Sequence, residues 1–135
     1  MRYLAIDLGQ KRTGLAVCDE GETIACPLAV LQGRSIVGPI LEIIEKEQID
    51  AVVLGLPLNM DGTEGAQAKL VRGFGEQIGL EINLPIYFQD ERLSSFEAEK
   101  KLSGHGLTHK KKKRRLDAIA AAAILQSFLD TKHTK

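Results

Sequence analysis

A chain of 135 residues that is 44% hydrophobic is long enough to bury one core and too short for two, so residues 1–135 read as a single domain. Lys plus Arg and Asp plus Glu both number 18, which leaves no net charge, so any affinity for nucleic acid has to come from a local patch. No apolar run approaches the roughly 18 residues of a membrane span and the N-terminus carries no basic-then-apolar leader, so a cytoplasmic protein without a membrane segment is expected.

The first stretch, Tyr3 to Cys18, is an apolar run with one carboxylate, Asp7, then a polar turn, then a second apolar run. That is the pattern of a β-hairpin. Gly9 is expected to turn the backbone with positive φ, and Gly14 to admit the returning strand or a ligand. Lys11 and Arg12 place positive charge at the tip. An unpaired aspartate at the end of a buried strand costs several kcal/mol to desolvate, so Asp7 is a candidate to hold a proton, a cation or a hydrogen bond. An Asx turn is the structural alternative.

Asp19-Glu20-Gly21-Glu22 signals a turn into a third strand, Thr23 to Leu31, where Pro27 indicates a sheet edge. Cys18 and Cys26 form no Cys-x-x-Cys pair and sit on expected strands, which reads as small buried thiols. Ile36, Ile40, Leu41, Ile43 and Ile44 follow helical spacing, giving a first helix over Ser35 to Gln48. Ala51 to Gly55 is a short continuous apolar run after a helix, the pattern of a parallel strand covered on both faces. After a loop with Pro57, Asn59, Asp61 and Gly62, Thr63 is expected to cap a second helix that turns Ala66, Leu70, Phe74 and Ile78 inward and ends near Gly79.

Pro85 to Gln89 reads as a fifth strand running into Asp90-Glu91-Arg92. Ser94 and Glu97 form a capping box that opens a third helix ending at Ser103-Gly104. Gly104 to Arg115 shows no helical pattern and holds six consecutive cations, Lys110, Lys111, Lys112, Lys113, Arg114 and Arg115, so it reads as a mobile basic loop. An alanine-rich last helix is expected from about Leu116 to Leu129, with residues from Asp130 on frayed. The order β-β-β-α-β-α-β-α-α defines an α/β protein with an antiparallel meander followed by parallel strands.

Asp7, Glu91 and Asp117 are carboxylates set in otherwise apolar surroundings. Stepping back along the last helix from Phe128 through Ile124 and Ala121 lands on Asp117, which therefore continues the buried stripe. The small side chains of Ala120 to Ala123 would let this helix lie close to the sheet and carry Asp117 toward the central strand ends. Taken alone, Asp117 is equally an ordinary acid near a helix N-terminus. Carboxylates converging on one point repel, and a divalent cation removes that repulsion. Oxygen ligands without histidine or cysteine point to Mg²⁺ or Mn²⁺, a combination suited to hydrolysing a phosphodiester.

The hairpin Asp7-x-Gly9-x-Lys11-Arg12-x-Gly14-x-Ala16, the strand end Gly55-x-Pro57-x-Asn59-x-Asp61-Gly62, the segment Asp90-Glu91-Arg92-Leu93-Ser94-Ser95 and the closing Asp117-x-x-Ala120-Ala121 resemble the YqgF (RuvX) family. This is the family of bacterial pre-16S rRNA nucleases, also called Holliday junction resolvases, in the ribonuclease H-like superfamily. The resemblance covers nearly the whole chain. It implies a ribonuclease H-like, five-stranded mixed sheet flanked by helices, a metal-dependent site, and maturation of the 5′ end of the small-subunit rRNA precursor. Asp7, Glu91 and Asp117 would then be the catalytic, metal-binding carboxylates. Gly9, Lys11, Arg12 and Arg92 match family positions, and the chemistry of the arginines suits phosphate contacts. The pattern departs from the wider superfamily at Gly55-Leu56-Pro57 and at Arg114, where related nucleases often carry carboxylates.

Lys110 to Arg115 would add phosphate contacts beside Asp117, with a log-log salt slope of about −5 if all met a duplex. Aromatic residues are only 4% and tryptophan is absent, so recognition by backbone shape and charge is expected over base stacking. Three alternatives stay open at this point: a resolvase of branched DNA, a non-catalytic RNA-binding assembly module, and one lobe of an actin-like or sugar-kinase ATPase working as a dimer. A resolvase that cuts two strands symmetrically favours a homodimer, whereas a trimming enzyme can act as a monomer.

Overall fold

The computed structural model describes residues 1–92 and 109–133. Strands β1 (Tyr3–Asp7), β2 (Arg12–Cys18) and β3 (Ala25–Gln32) form the meander, followed by α1 (Val37–Lys46), β4 (Ala51–Leu56), α2 (Ala66–Glu81), β5 (Ile86–Asp90) and α3 (His109–His133). The sheet runs in the order β3-β2-β1-β4-β5. β1 pairs antiparallel with β2 and parallel with β4, and β5 lies parallel to β4 at the far edge. The expected helix from Ser94 to Ser103 lies outside the described residues.

Alternation along the strands divides the core in two. Leu4, Ile6, Leu15, Val52 and Leu54 face α1 and α2, meeting Ile40, Val71 and Ile78. Tyr3, Ala5, Ala16, Ala51 and Val53 face α3, meeting Ala121, Ile124, Leu125 and Leu129. The second layer is thin because small residues meet alanines, so α3 lies close to the sheet. Each fully buried leucine or isoleucine there contributes on the order of 1.5–3 kcal/mol. Pro27 lies on the edge strand β3, next to a bulge opposite Leu15 and Ala16, where its missing N–H costs no ladder bond.

Several expectations change. Lys110 to Arg115 are helical, not looped, because no glycine or proline follows Gly106 and Lys and Arg are good helix formers, so α3 extends back to His109. Its C-terminal end is held: Lys132 Nζ donates to Glu22 Oε1 at 2.5 Å and to the Tyr3 hydroxyl at 2.7 Å. In α2 the buried residues are Ala68, Val71, Gly75 and Ile78, while Leu70 is 59% exposed and Ala66 is exposed. Gly75 decides this, since it lets the helix seat against Leu54 and Phe88 at distances where a Cβ would already be tight. Thr63 does not cap α2; its hydroxyl bonds Asp61 at 2.6 Å and Gly65 takes the N-cap position. α1 is shorter than expected, with Ile36 as its N-cap. Cys18 is buried but Cys26 is exposed on the edge strand. Among the described residues, no helix is long and apolar enough to cross a membrane.

Candidate active site

Asp7 closes β1 on the face that α3 covers, in line with Tyr3 and Ala5. On the same face β4 presents Gly55. A Cβ there would run into the Glu91 Oε2 oxygen and stand 2.6 Å from Ile124 Cδ1, so the bare Gly55 backbone is the floor on which the Glu91 carboxylate lies. Glu91 follows β5 directly and its N–H donates to the Leu56 carbonyl at 3.3 Å. On the other side of β1, Gly14 is the register partner of Asp7. A Cβ on Gly14 would overlap the Asp117 carbonyl and lie 3.1 Å from the Ala118 nitrogen. Gly14 thus admits the backbone of α3 rather than a returning strand. Gly9 does not have positive φ; a Cβ there would meet the Arg12 carbonyl, so tight closure of the turn is what calls for glycine.

These approaches place Asp7, Glu91 and Asp117 at one end of the sheet. Burial pushes the Asp7 carboxyl up to about 6, against a hydrogen bond with Glu91 that lowers it, and the Asp117 charge raises it further. Glu91 is pushed up to about 8 by burial, then by the charge of Asp7 and their shared hydrogen bond, with Asp90 adding a smaller push. The pair therefore holds protons well above the ordinary carboxylate range. Glu91 Oε2 is buried with no hydrogen-bond partner among the described residues.

Asp117 is engaged differently. Arg12 Nε donates to its Oδ2 at 2.7 Å, and both side chains are 29% exposed. Among the described residues no group of three His, Cys, Asp or Glu side chains is arranged to hold a metal ion. The expected three-carboxylate cluster is thus drawn together without being closed: burial pushes the Asp7 and Glu91 carboxyls up, and a guanidinium holds Asp117. Asp90 lies apart from this cluster because its side chain pairs with Arg92, as expected of neighbouring residues on opposite strand faces. Arg92 also donates to the Met60 carbonyl at 3.2 Å, tying the end of β5 to the loop after β4. Lys11 is exposed in the turn between β1 and β2, and residues 110–115 form early turns of α3 leading into Asp117.

Two participants escape the sequence: Gly55 as the floor under Glu91 and Arg12 as the partner of Asp117. Strand alternation gave a signal for the first, since Asp7 and Gly55 end neighbouring strands on one face. None existed for the second, because a contact across 105 positions leaves no local pattern.

The family model described as RuvX, Holliday junction resolvase, matches residues 1–131. The chain belongs to the RuvX family. It is 43% identical over 136 residues to a protein of Anaeromyxobacter sp. (strain Fw109-5) named "Putative pre-16S rRNA nuclease", covering 98% of this chain and 99% of that one. A protein of the same name from Maridesulfovibrio salexigens is 40% identical over 132 residues, with 96% and 98% coverage. Among solved structures, T. thermophilus RuvC in complex with a Holliday junction substrate superimposes with a TM-score of 0.63 at 20% identity, covering 98% of this chain and 96% of that chain. This RuvX-family chain therefore has the ribonuclease H-like fold of the RuvC resolvases, with a five-stranded mixed sheet flanked by helices.

Proposed function

We propose that this RuvX-family chain is a divalent-cation-dependent nuclease that hydrolyses phosphodiester bonds in structured nucleic acid, with pre-16S rRNA as its substrate in the cytoplasm. The observation that carries this is the half-buried Asp7–Glu91 pair beside Asp117 at the open end of the sheet. Carboxylates forced together in a poorly solvated place stand ready for a cation, and the unpartnered Glu91 Oε2 is an oxygen donor in waiting. The donor set is all oxygen, which fits Mg²⁺ or Mn²⁺ held by Asp7 and Glu91 with Asp117 alongside. Such a cation supplies water activation and charge stabilisation at the leaving oxygen. The protein's own part is to hold Asp7 and Glu91 rigidly between β1 and β5, keep bulk water from their inner side through Ile124, and bring cations to the phosphates.

Those cations are Lys11, Arg12 and Arg92 around the site and Lys110 to Arg115 in α3. Six consecutive positive residues along a helix repel one another, a cost that phosphate groups relieve. Consecutive helical positions extend over more than one turn, so a duplex surface meets about half of them. The expected salt slope for this run alone is accordingly about −3 instead of −5. Replacing Lys110 to Lys113 by glutamine should flatten the measured log Kd against log salt by about 2. An unchanged slope would take this run out of the interface.

The reading is tested by cleavage of a labelled pre-16S 5′-leader RNA beside a four-way DNA junction, in Mg²⁺, Mn²⁺ or EDTA, with wild type and Asp117→Asn. Cation-dependent cutting of the RNA that falls at least about a hundredfold in the variant is the expected result. Preferential cutting of the junction would assign a resolvase, the reading that the family description favours. Binding of either without any cutting would make the protein an assembly module.

A further inference from the structure

Arg12 occupies a place between the two halves of this site. It opens β2, two residues before the glycine on which the Asp117 backbone rests, and its Nε holds Asp117 Oδ2 at 2.7 Å. Both partners are 29% exposed, so the pair is reachable from solvent and is of the weak, screened kind. The bond uses Nε; among the described residues no hydrogen bond of the Nη groups is seen, and they belong to a planar fork whose best partner is a phosphate. Asp7 and Glu91 meanwhile face each other, and without Asp117 they are two ligands where a firmly held cation needs more.

We propose that Arg12 is a positioning residue that couples nucleic-acid engagement to cation binding. In the free protein it neutralises Asp117 and keeps that carboxylate from the Asp7–Glu91 pair. When a backbone phosphate of the nucleic acid arrives, the guanidinium exchanges Asp117 for the phosphate, and Asp117 is released to complete the cation site. Nucleic acid and cation then tighten each other's binding by the same factor, as linkage requires. The protein is thereby protected from holding a competent site when no substrate is present. The inference rests on the cation-dependent nuclease reading and adds an order of assembly to it.

The test is Mn²⁺ binding followed by the electron paramagnetic resonance of the free ion at 4 °C, with and without a short RNA duplex, the uptake by RNA alone being subtracted. Wild type, Arg12→Gln, Arg12→Lys and Lys11→Gln are compared, with thermal melts to establish that each is folded. RNA should tighten Mn²⁺ binding to the wild type by about fivefold or more. Arg12→Gln should show that tighter binding already without RNA and gain little from adding it. Arg12→Lys keeps the charge opposite Asp117 and should behave like wild type in the absence of RNA. Lys11→Gln removes an equal charge one residue away and should leave Mn²⁺ affinity in the free protein unchanged. If Lys11→Gln tightens Mn²⁺ as much as Arg12→Gln, the effect is bulk charge and the exchange is wrong. If Arg12→Gln binds Mn²⁺ like wild type and keeps the full response to RNA, the exchange is equally wrong while the cation site stands. Failure of the wild type to take up Mn²⁺ under either condition would remove the cation-dependent reading, and this inference with it.

Discussion

Asp7→Asn is expected to raise the melting temperature of the cation-free protein at pH 8 while removing its cleavage activity. Burial, the first cause in each case, pushes the Asp7 carboxyl up to about 6 and the Glu91 carboxyl up to about 8, both above the ordinary carboxylate range. The folded state therefore holds more protons than the unfolded chain, and stability is full below about pH 4 and declines as pH rises through about 8. The asparagine removes one half-buried charge and the repulsion it exerts on Glu91, whose carboxyl should come down in part while burial still holds it above its usual range. At pH 8 in EDTA the gain should be on the order of 2–3 kcal/mol, seen as a rise of several degrees in thermal melts, and it should vanish near pH 4. Added Mg²⁺ or Mn²⁺ should reverse the ranking, stabilising the wild type by mass action and the variant little. A variant that melts below wild type at pH 8 in EDTA would mean that the Asp7 carboxylate is a net structural support. The site would then owe its arrangement to folding and not to a ligand.

The parts of this molecule that were legible in its sequence are those where one local pattern admits one structure. The continuous apolar run from Ala51 to Gly55 reads as a strand covered on both faces, and it lies between β1 and β5 with every residue buried. Pro27 foretold an edge for the same reason that proline cannot donate to a ladder. Helix α2 carries two apolar stripes, so of the expected inward residues Ile78 is buried and Phe74 packs against the core, while Ala66 and Leu70 face outward. The choice between Leu70 and Val71 as the inward residue is made by Gly75 against Phe88, a contact that requires the sheet to be in place. The basic run was read as a loop because like charges and nearby glycines looked inimical to a helix. Lys and Arg nevertheless continue a helix well once the alanine-rich segment has docked and supplied its nucleus. Within the site, the acids stood out singly because each interrupts an apolar setting, and their placement at one sheet end follows from the strand ends for Asp7 and Glu91 and from helical spacing for Asp117. Their pairing does not. Whether Asp117 faces Asp7 or Arg12 depends on a balance of charge and solvent exposure across distant elements, which no spacing encodes.

The second large effect concerns how α3 reaches the sheet. Gly14→Ala places a methyl group against the Asp117 carbonyl and within 3.1 Å of the Ala118 nitrogen, and both are backbone atoms that no rotamer change can move aside. The helix must lift or slide, and its far end resists because Lys132 is fixed to Glu22 and Tyr3 while Gln126 exchanges hydrogen bonds with Thr23 and Ala25. Overpacking of this kind costs about 1–3 kcal/mol, so the melting temperature should fall by roughly 3–10 °C. Cleavage should fall further than stability does, since a shift of about 1 Å in a positioned group can cost a hundredfold. Gly73→Ala supplies the contrast: the same methyl group is added in the interior of α2, where nothing lies within 4 Å of it. There the change removes glycine's entropy cost and should stabilise by about 0.5–1 kcal/mol with activity unchanged. Opposite signs from one chemical change would locate the sensitivity at the contact between β2 and α3. Gly14→Ala melting and cutting like wild type would mean that the close approach of α3 to β2 does not set the position of Asp117.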